Sequence, residues 1–106
     1  MRKKWRRFEV LLPLQFNDGR AVPEKWLIDA IFELAQHFDG ASHETQKITG
    51  YWRHEGTLYR EKFTRVVVDV QDMPKNRLWM RQYKRQWKAR LGQIELWMVS
   101  YQIEIE

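Results

Sequence analysis

The chain has 106 residues, of which 43% are hydrophobic and 14% aromatic, with six tryptophans and a formal net charge of +5. This length supports one hydrophobic core and is too short for two, and the apolar content excludes a natively disordered chain. Cysteine is absent, which excludes a disulfide framework, a thiolate metal site and a thiol nucleophile, and fits a reducing compartment.

The opening MRKKWRRFEVLLPLQF places basic residues before an apolar run. Glu9, Pro13 and Gln15 interrupt that run and no small-residue cleavage site follows it, so it does not read as a secretion leader. Phe8, Val10, Leu12, Leu14 and Phe16 alternate instead, which predicts a strand over about 6–16 behind a basic tail, residues 1–5. No segment reaches the roughly 18 apolar residues of a membrane span. The expectation is a cytoplasmic protein without a membrane partner.

Asn17-Asp18-Gly19 is a turn signal. Val22-Pro23-Glu24 then opens a helix, with Pro at the first position and an acid in the first turn. It runs to Phe38 and stops at Asp39-Gly40. Its apolar residues, among them Ile28, Phe32 and Leu34, cover roughly two thirds of the circumference, wider than the usual stripe of a surface helix. A thick core or a subunit interface would use the excess.

Residues 46–53 and 57–71 read as two strands joined at His54-Glu55-Gly56. Val66-Val67-Val68 predicts a central strand buried on both faces. Asp72-Met73-Pro74 breaks it, and a second helix follows over 75–91, closed by Gly92. IELWMVSYQIEIE reads as a long final strand with Trp97, Val99, Tyr101, Ile103 and Ile105 on one face. The order βαββαβ predicts a single α+β domain spanning 1–106, of ferredoxin-like plan. It has a four-stranded antiparallel sheet, first and third strands central, and two helices on one face. Both faces of the outer sequence strands are apolar, since Leu11 and Leu12 are neighbours, as are Trp97 and Met98. A homodimer through the open sheet face, or a tail folded across it, would bury the second face.

Several motifs are familiar in this order. They are Asp18-Gly19, then the G-x-W-x-x-x-G-x-x-x-x-E pattern of Gly50, Trp52, Gly56 and Glu61, then Tyr83-Lys84 and Leu91-Gly92-Gln93. On these the chain resembles an uncharacterised bacterial family of small ferredoxin-like proteins of unknown function. The resemblance implies the fold and brings no activity with it. Many relatives carry a secretion and lipid-anchoring signal that this sequence lacks, so their location does not transfer.

The stretch GYWRHEGTLYRE is the densest run of reactive side chains. His54 could serve as acid or base, oriented by Glu55 or Glu61, with Arg53 or Arg60 on an anion. The simpler reading makes His54-Glu55-Gly56 a polar hairpin tip, Trp52 a core cover, and Arg60 and Glu61 a cross-strand pair. Period-2 alternation puts Tyr59 and Glu61 on one face, and Leu58, Arg60 and Lys62 on the other. The candidate ligand or partner surface is Trp52, Arg53, Arg60 and Glu61. No catalytic residue is assigned.

The three histidines, His37, His43 and His54, lack metal-ligand spacing. No phosphate loop or nucleophile motif is present, and no cofactor or metal is assigned.

Charge is concentrated elsewhere. Residues 73–93 carry seven bases and no acid, while 8–72 carry seven bases against eleven acids. On the second helix Arg77, Arg81, Lys84, Arg85 and Lys88 form one arc, opposite Trp79, Met80, Tyr83 and Trp87. These five are candidate nucleic-acid contacts, through phosphates. Aromatics do not interleave with them, against a single-strand stacking platform.

The favoured function is a non-enzymatic, homodimeric binding or assembly module. The alternatives are a nucleic-acid-associated protein using the basic helix, and a small dimeric α/β-barrel-like enzyme. The latter would have a pocket near Glu61, served by Tyr51, His54 and Tyr59.

Overall fold

The computed structural model describes residues 3–106; Met1 and Arg2 of the basic tail lie outside the described residues. The chain runs β1 (Trp5–Pro13), α1 (Glu24–Phe38), β2 (Ser42–His54), β3 (Thr57–Gln71), α2 (Pro74–Arg90) and β4 (Met98–Ile103). The four strands form one sheet in the order β2-β3-β1-β4, every neighbouring pair antiparallel. This is the ferredoxin-like arrangement that the element order predicts.

Local chemistry sets the punctuation. Pro23 directly precedes α1, Glu24 lies in its first turn, and Asp39 leaves the helix in the left-handed region at φ 63°. Pro74 opens α2. Its far end closes with Gly92 N–H donating to Ala89 and Gln93 N–H to Lys88, the paired bonds of a Schellman motif.

Alternation along β1 and β3 turns Phe8, Val10 and Leu12, with Val66, Val68 and Val70, toward the helices. There they pack with Leu34 of α1 and with Met80, Tyr83 and Trp87 of α2. Val67, between two buried valines, is only half-buried. It stands on the opposite sheet face, so β3 is buried on one face within a single chain. The broad apolar surface of α1 divides in the same way. Ala30 and Leu34 are enclosed, whereas Phe32 is 61% exposed and Ile28 is exposed beside it.

Three strands have ends that differ from the sequence reading, β2 beginning at Ser42 rather than at 46. β1 stops at Pro13, whose nitrogen has no hydrogen to donate to a ladder. The chain then turns on itself through Phe16 N–H to Arg20 and Gly19 N–H to Phe16. β4 is six residues, not a long strand through Ile105, and it pairs only with β1 over Trp5 to Val10. On the other edge, the pairing of β2 with β3 shifts register between Glu44 and Ile48. Among the described residues no helix is long and apolar enough to cross a membrane.

Candidate functional site

The sheet face away from the helices is uncovered, and its side chains form bands. At its middle lies a belt of paired charges. Arg7 and Asp69, directly opposite across β1 and β3, form a two-pronged pair at 2.8 and 3.0 Å. Hydrogen bonding and charge from Asp69 push the Arg7 guanidinium above its usual range. Arg65 reaches Glu9 on one side at 3.7 Å and Glu44 on the other at 3.2 Å. Each charge in the belt therefore has an opposite neighbour on the same face.

Beyond the belt, at the end of β1, is a shallow hollow of about 390 Å³. Leu11, Gly50, Tyr51, Trp52, Glu61, Phe63, Glu95 and Trp97 line it. Four separate stretches meet here because of topology. Leu11 N–H donates to the Trp97 carbonyl, and Gly50 stands opposite Glu61. The ring of Phe63 lies over Gly50 so closely that a Cβ there would come within 2.8 Å of it. A larger residue at this position would have to push the ring aside. Trp52 is held by its cross-strand partner Tyr59, with ring centroids 4.5 Å apart and planes 16° from parallel.

The two carboxylates of the hollow differ. Glu95 receives Lys84 Nζ at 3.1 Å and the Leu96 N–H at 3.0 Å. These contacts, that from Lys84 foremost, hold its pKa below the ordinary carboxylate value. Glu61 is half-buried, and among the described residues no ion pair or side-chain hydrogen bond reaches it.

The four residues read from sequence as one surface are divided by the pleat. Trp52 and Glu61 share the hollow. Arg53 and Arg60 project from the opposite face of the β2–β3 arm, where Arg53 donates to the Gly56 carbonyl at 3.3 Å. His54 pairs with Thr57 at the hairpin end, and Glu55 and Gly56 alone form the loop. Of the groups considered for catalysis, His54, Tyr59 and Glu61 stand on the open face, while Tyr51, opposite Arg60, is exposed at the border of the hollow.

The basic arc of α2 is partly consumed within the fold. Arg77 pairs with Asp72 at 2.7 Å and Lys84 with Glu95. Arg81 and Arg85 are exposed, without an ion pair among the described residues, and Lys88 is half-buried. Asp72 also takes Arg6 at 3.2 Å and Gln102 at 3.0 Å, joining β1, β4 and α2. His37 is stacked flat on Trp79 at 4.1 Å, and His43 is hydrogen-bonded to Thr64 at 2.7 Å. Among the described residues no group of three His, Asp or Glu is placed to hold a metal.

Leu11, Phe63, Glu95 and Trp97 were not among the candidate site residues read from sequence, although Leu11 and Trp97 marked the second apolar face. Phe63 and Trp97 carried a signal, since Phe63 alternates with Glu61, and Trp97 with Val99.

No family model matches the chain, and no curated protein matches it. Solved structures do match. A phage SAM lyase in complex with S-methyl-5′-thioadenosine has a TM-score of 0.70 at 9% identity, over 99% of this chain and 93% of that one. A phage SAM lyase in its apo state has a TM-score of 0.56 at 16% identity, over 98% and 90%. CutA from Synechococcus elongatus has a TM-score of 0.54 at 9% identity, over 96% and 79%. At such identities the likeness is one of fold: a small α+β protein with an antiparallel four-stranded sheet under two helices.

Proposed function

We propose that this protein is a non-enzymatic binding or assembly module that pairs with a second copy of itself through the uncovered sheet face. Its ligand or partner surface is the Trp52–Glu61 end of that face. The observation that supports this is the composition of the face. Trp97 is 59% exposed there, and Tyr101 is exposed as well, beside half-buried Leu11, Phe63, Val67 and Val99. Apolar side chains on both sides of the charged belt are thus left for a partner to cover. The charges within it, Arg7–Asp69 and Glu9–Arg65–Glu44, are already paired. A second copy could cover them without stranding a buried charge, in a two-fold arrangement where like patches meet.

Light scattering is the test. The expected mass is twice the 13.1 kDa of the chain. Val99→Arg, on the open face of β4, should yield a monomer, while Phe32→Arg on α1 should leave the dimer intact. A wild-type monomer at high concentration, or a dimer lost only through Phe32→Arg, would overturn the reading.

Membership in the bacterial family suggested by the motifs belongs to the same proposal. It is supported by structural uses for those residues: Gly50 under Phe63, Gly56 in the turn, Tyr83 and Gln93 inside the core. The nucleic-acid reading has less support, because Arg77 and Lys84 are engaged by Asp72 and Glu95.

A further inference from the structure

We propose that the hollow around Glu61 binds an organic cation whose charge sits on a carbon-rich centre, an alkylated ammonium or sulfonium. The inference rests on the ligand-surface half of the reading above and names the ligand's chemistry.

Three features of the hollow converge. The first is a carboxylate without a partner. Gly50, opposite Glu61, has no side chain to offer it. The nearby cations are engaged elsewhere: Arg65 lies between Glu9 and Glu44, and Lys84 is on Glu95. Arg53 and Arg60 point away through the other side of the arm. The second is the walls. Trp52, Phe63 and Trp97 supply aromatic surface, and Leu11 adds aliphatic surface. Ring faces attract cations, and the attraction strengthens as water is excluded. The third is fixed shape. Trp52 is braced by stacking on Tyr59, and Phe63 rests against Gly50 at a distance that admits no Cβ. A preformed site loses less freedom on binding.

These features also exclude other ligands. An anion would meet Glu61 and Glu95. Calcium wants about six to eight oxygen ligands, whereas the hollow offers one free carboxylate. A bare ammonium is strongly hydrated and gives up more on entering an apolar wall than an alkylated one. The volume of about 390 Å³ lies at the small end of the range for small-molecule sites.

The experiment compares choline with 3,3-dimethylbutanol, which replaces the cationic nitrogen by carbon at the same shape, and adds benzyltrimethylammonium as a larger probe. Titrations follow the indole N–H signals of Trp52 and Trp97 by NMR. Both cations should shift these signals saturably, and the neutral isostere should bind at least about tenfold more weakly. Glu61→Gln should weaken choline by about tenfold and leave 3,3-dimethylbutanol unchanged. Trp52→Ala should weaken both cations. Unaltered signals of the buried Trp87 check that each variant is folded. Equal binding of choline and its isostere keeps a ligand hollow and overturns the cation. No shift at millimolar cation, or no effect of Glu61→Gln, overturns the proposal too. Light scattering on the same samples separates the two readings. A dimer that binds no cation sinks this inference alone, and a monomer that binds choline sinks the assembly reading alone.

Discussion

At the hairpin loop, Glu55 has φ 48° and Gly56 φ 81°, so both central residues are left-handed, as a type I′ turn requires. Gly56 takes this freely. Glu55 does not, since its Cβ crowds the following carbonyl. Asn is the residue that tolerates the first position best. Glu55→Asn should therefore raise unfolding stability by about 0.5–1 kcal/mol, measured by urea denaturation. Asp72 is the opposite case, a residue whose surroundings match its charge. Its side chain is 2% exposed, and hydrogen bonds from Gln102, then Arg77, then Arg6 hold its pKa well below the ordinary carboxylate value. A folded pKa below the unfolded one stabilises the protein above the unfolded value, near pH 4. That contribution fades as pH falls from there toward the folded pKa. Urea midpoints should hold steady near neutrality and drop in the acid range. Asp72→Asn should lower the neutral midpoint and make the acid decline shallower.

The two helices are joined by more than apolar packing. The buried Tyr83 hydroxyl donates to the Ala30 carbonyl at 2.8 Å, and Trp87 Nε1 donates to Glu33 at 3.0 Å. Tyr83→Phe keeps the ring and removes one bond, which should cost about 0.5–1.5 kcal/mol in chemical denaturation. In the β2–β3 arm, Gly50→Ala sets a methyl against Phe63 and should cost about 1–3 kcal/mol through overpacking. A displaced Phe63 ring in the variant's crystal structure would report the same clash. The elements differed in how legible they were, for local reasons. α1 and β3 were readable because Pro23, Asp39-Gly40, the valine run and Asp72-Met73-Pro74 are strong punctuation. The end of β1 was obscured because Leu14 and Phe16 continue its alternation past Pro13, into a turn. Ile103 and Ile105 continue the alternation of β4 in the same way, yet pairing ends where β1 begins at Trp5.

At the scale of the molecule, the candidate site was only half legible. Alternation separates Trp52 and Glu61 from Arg53 and Arg60, and that much is local. The hollow itself joins residues near positions 11, 50, 61 and 96, and only the β2-β3-β1-β4 order makes them neighbours. The engagement of Arg77 and Lys84 was hidden likewise, since Asp72 and Glu95 lie outside the helical arc that exposes the bases. The exposed pattern also yields a prediction about mass action. If the sheet face is the contact, dilution should shift the thermal midpoint downward, and Val99→Arg should abolish that concentration dependence. Scanning calorimetry over a range of protein concentrations would read it.

The shifted register between Glu44 and Ile48 has a consequence for shelf life. An outermost strand with a regular ladder invites another chain to add a strand, and addition without closure gives fibrils. Here the outer strand opens with the polar run Ser42 to Lys47 and is broken within it. The opposite margin is six residues long. Neither margin offers a straight template, so concentrated solutions should stay clear and bind little amyloid-reporting dye on prolonged storage.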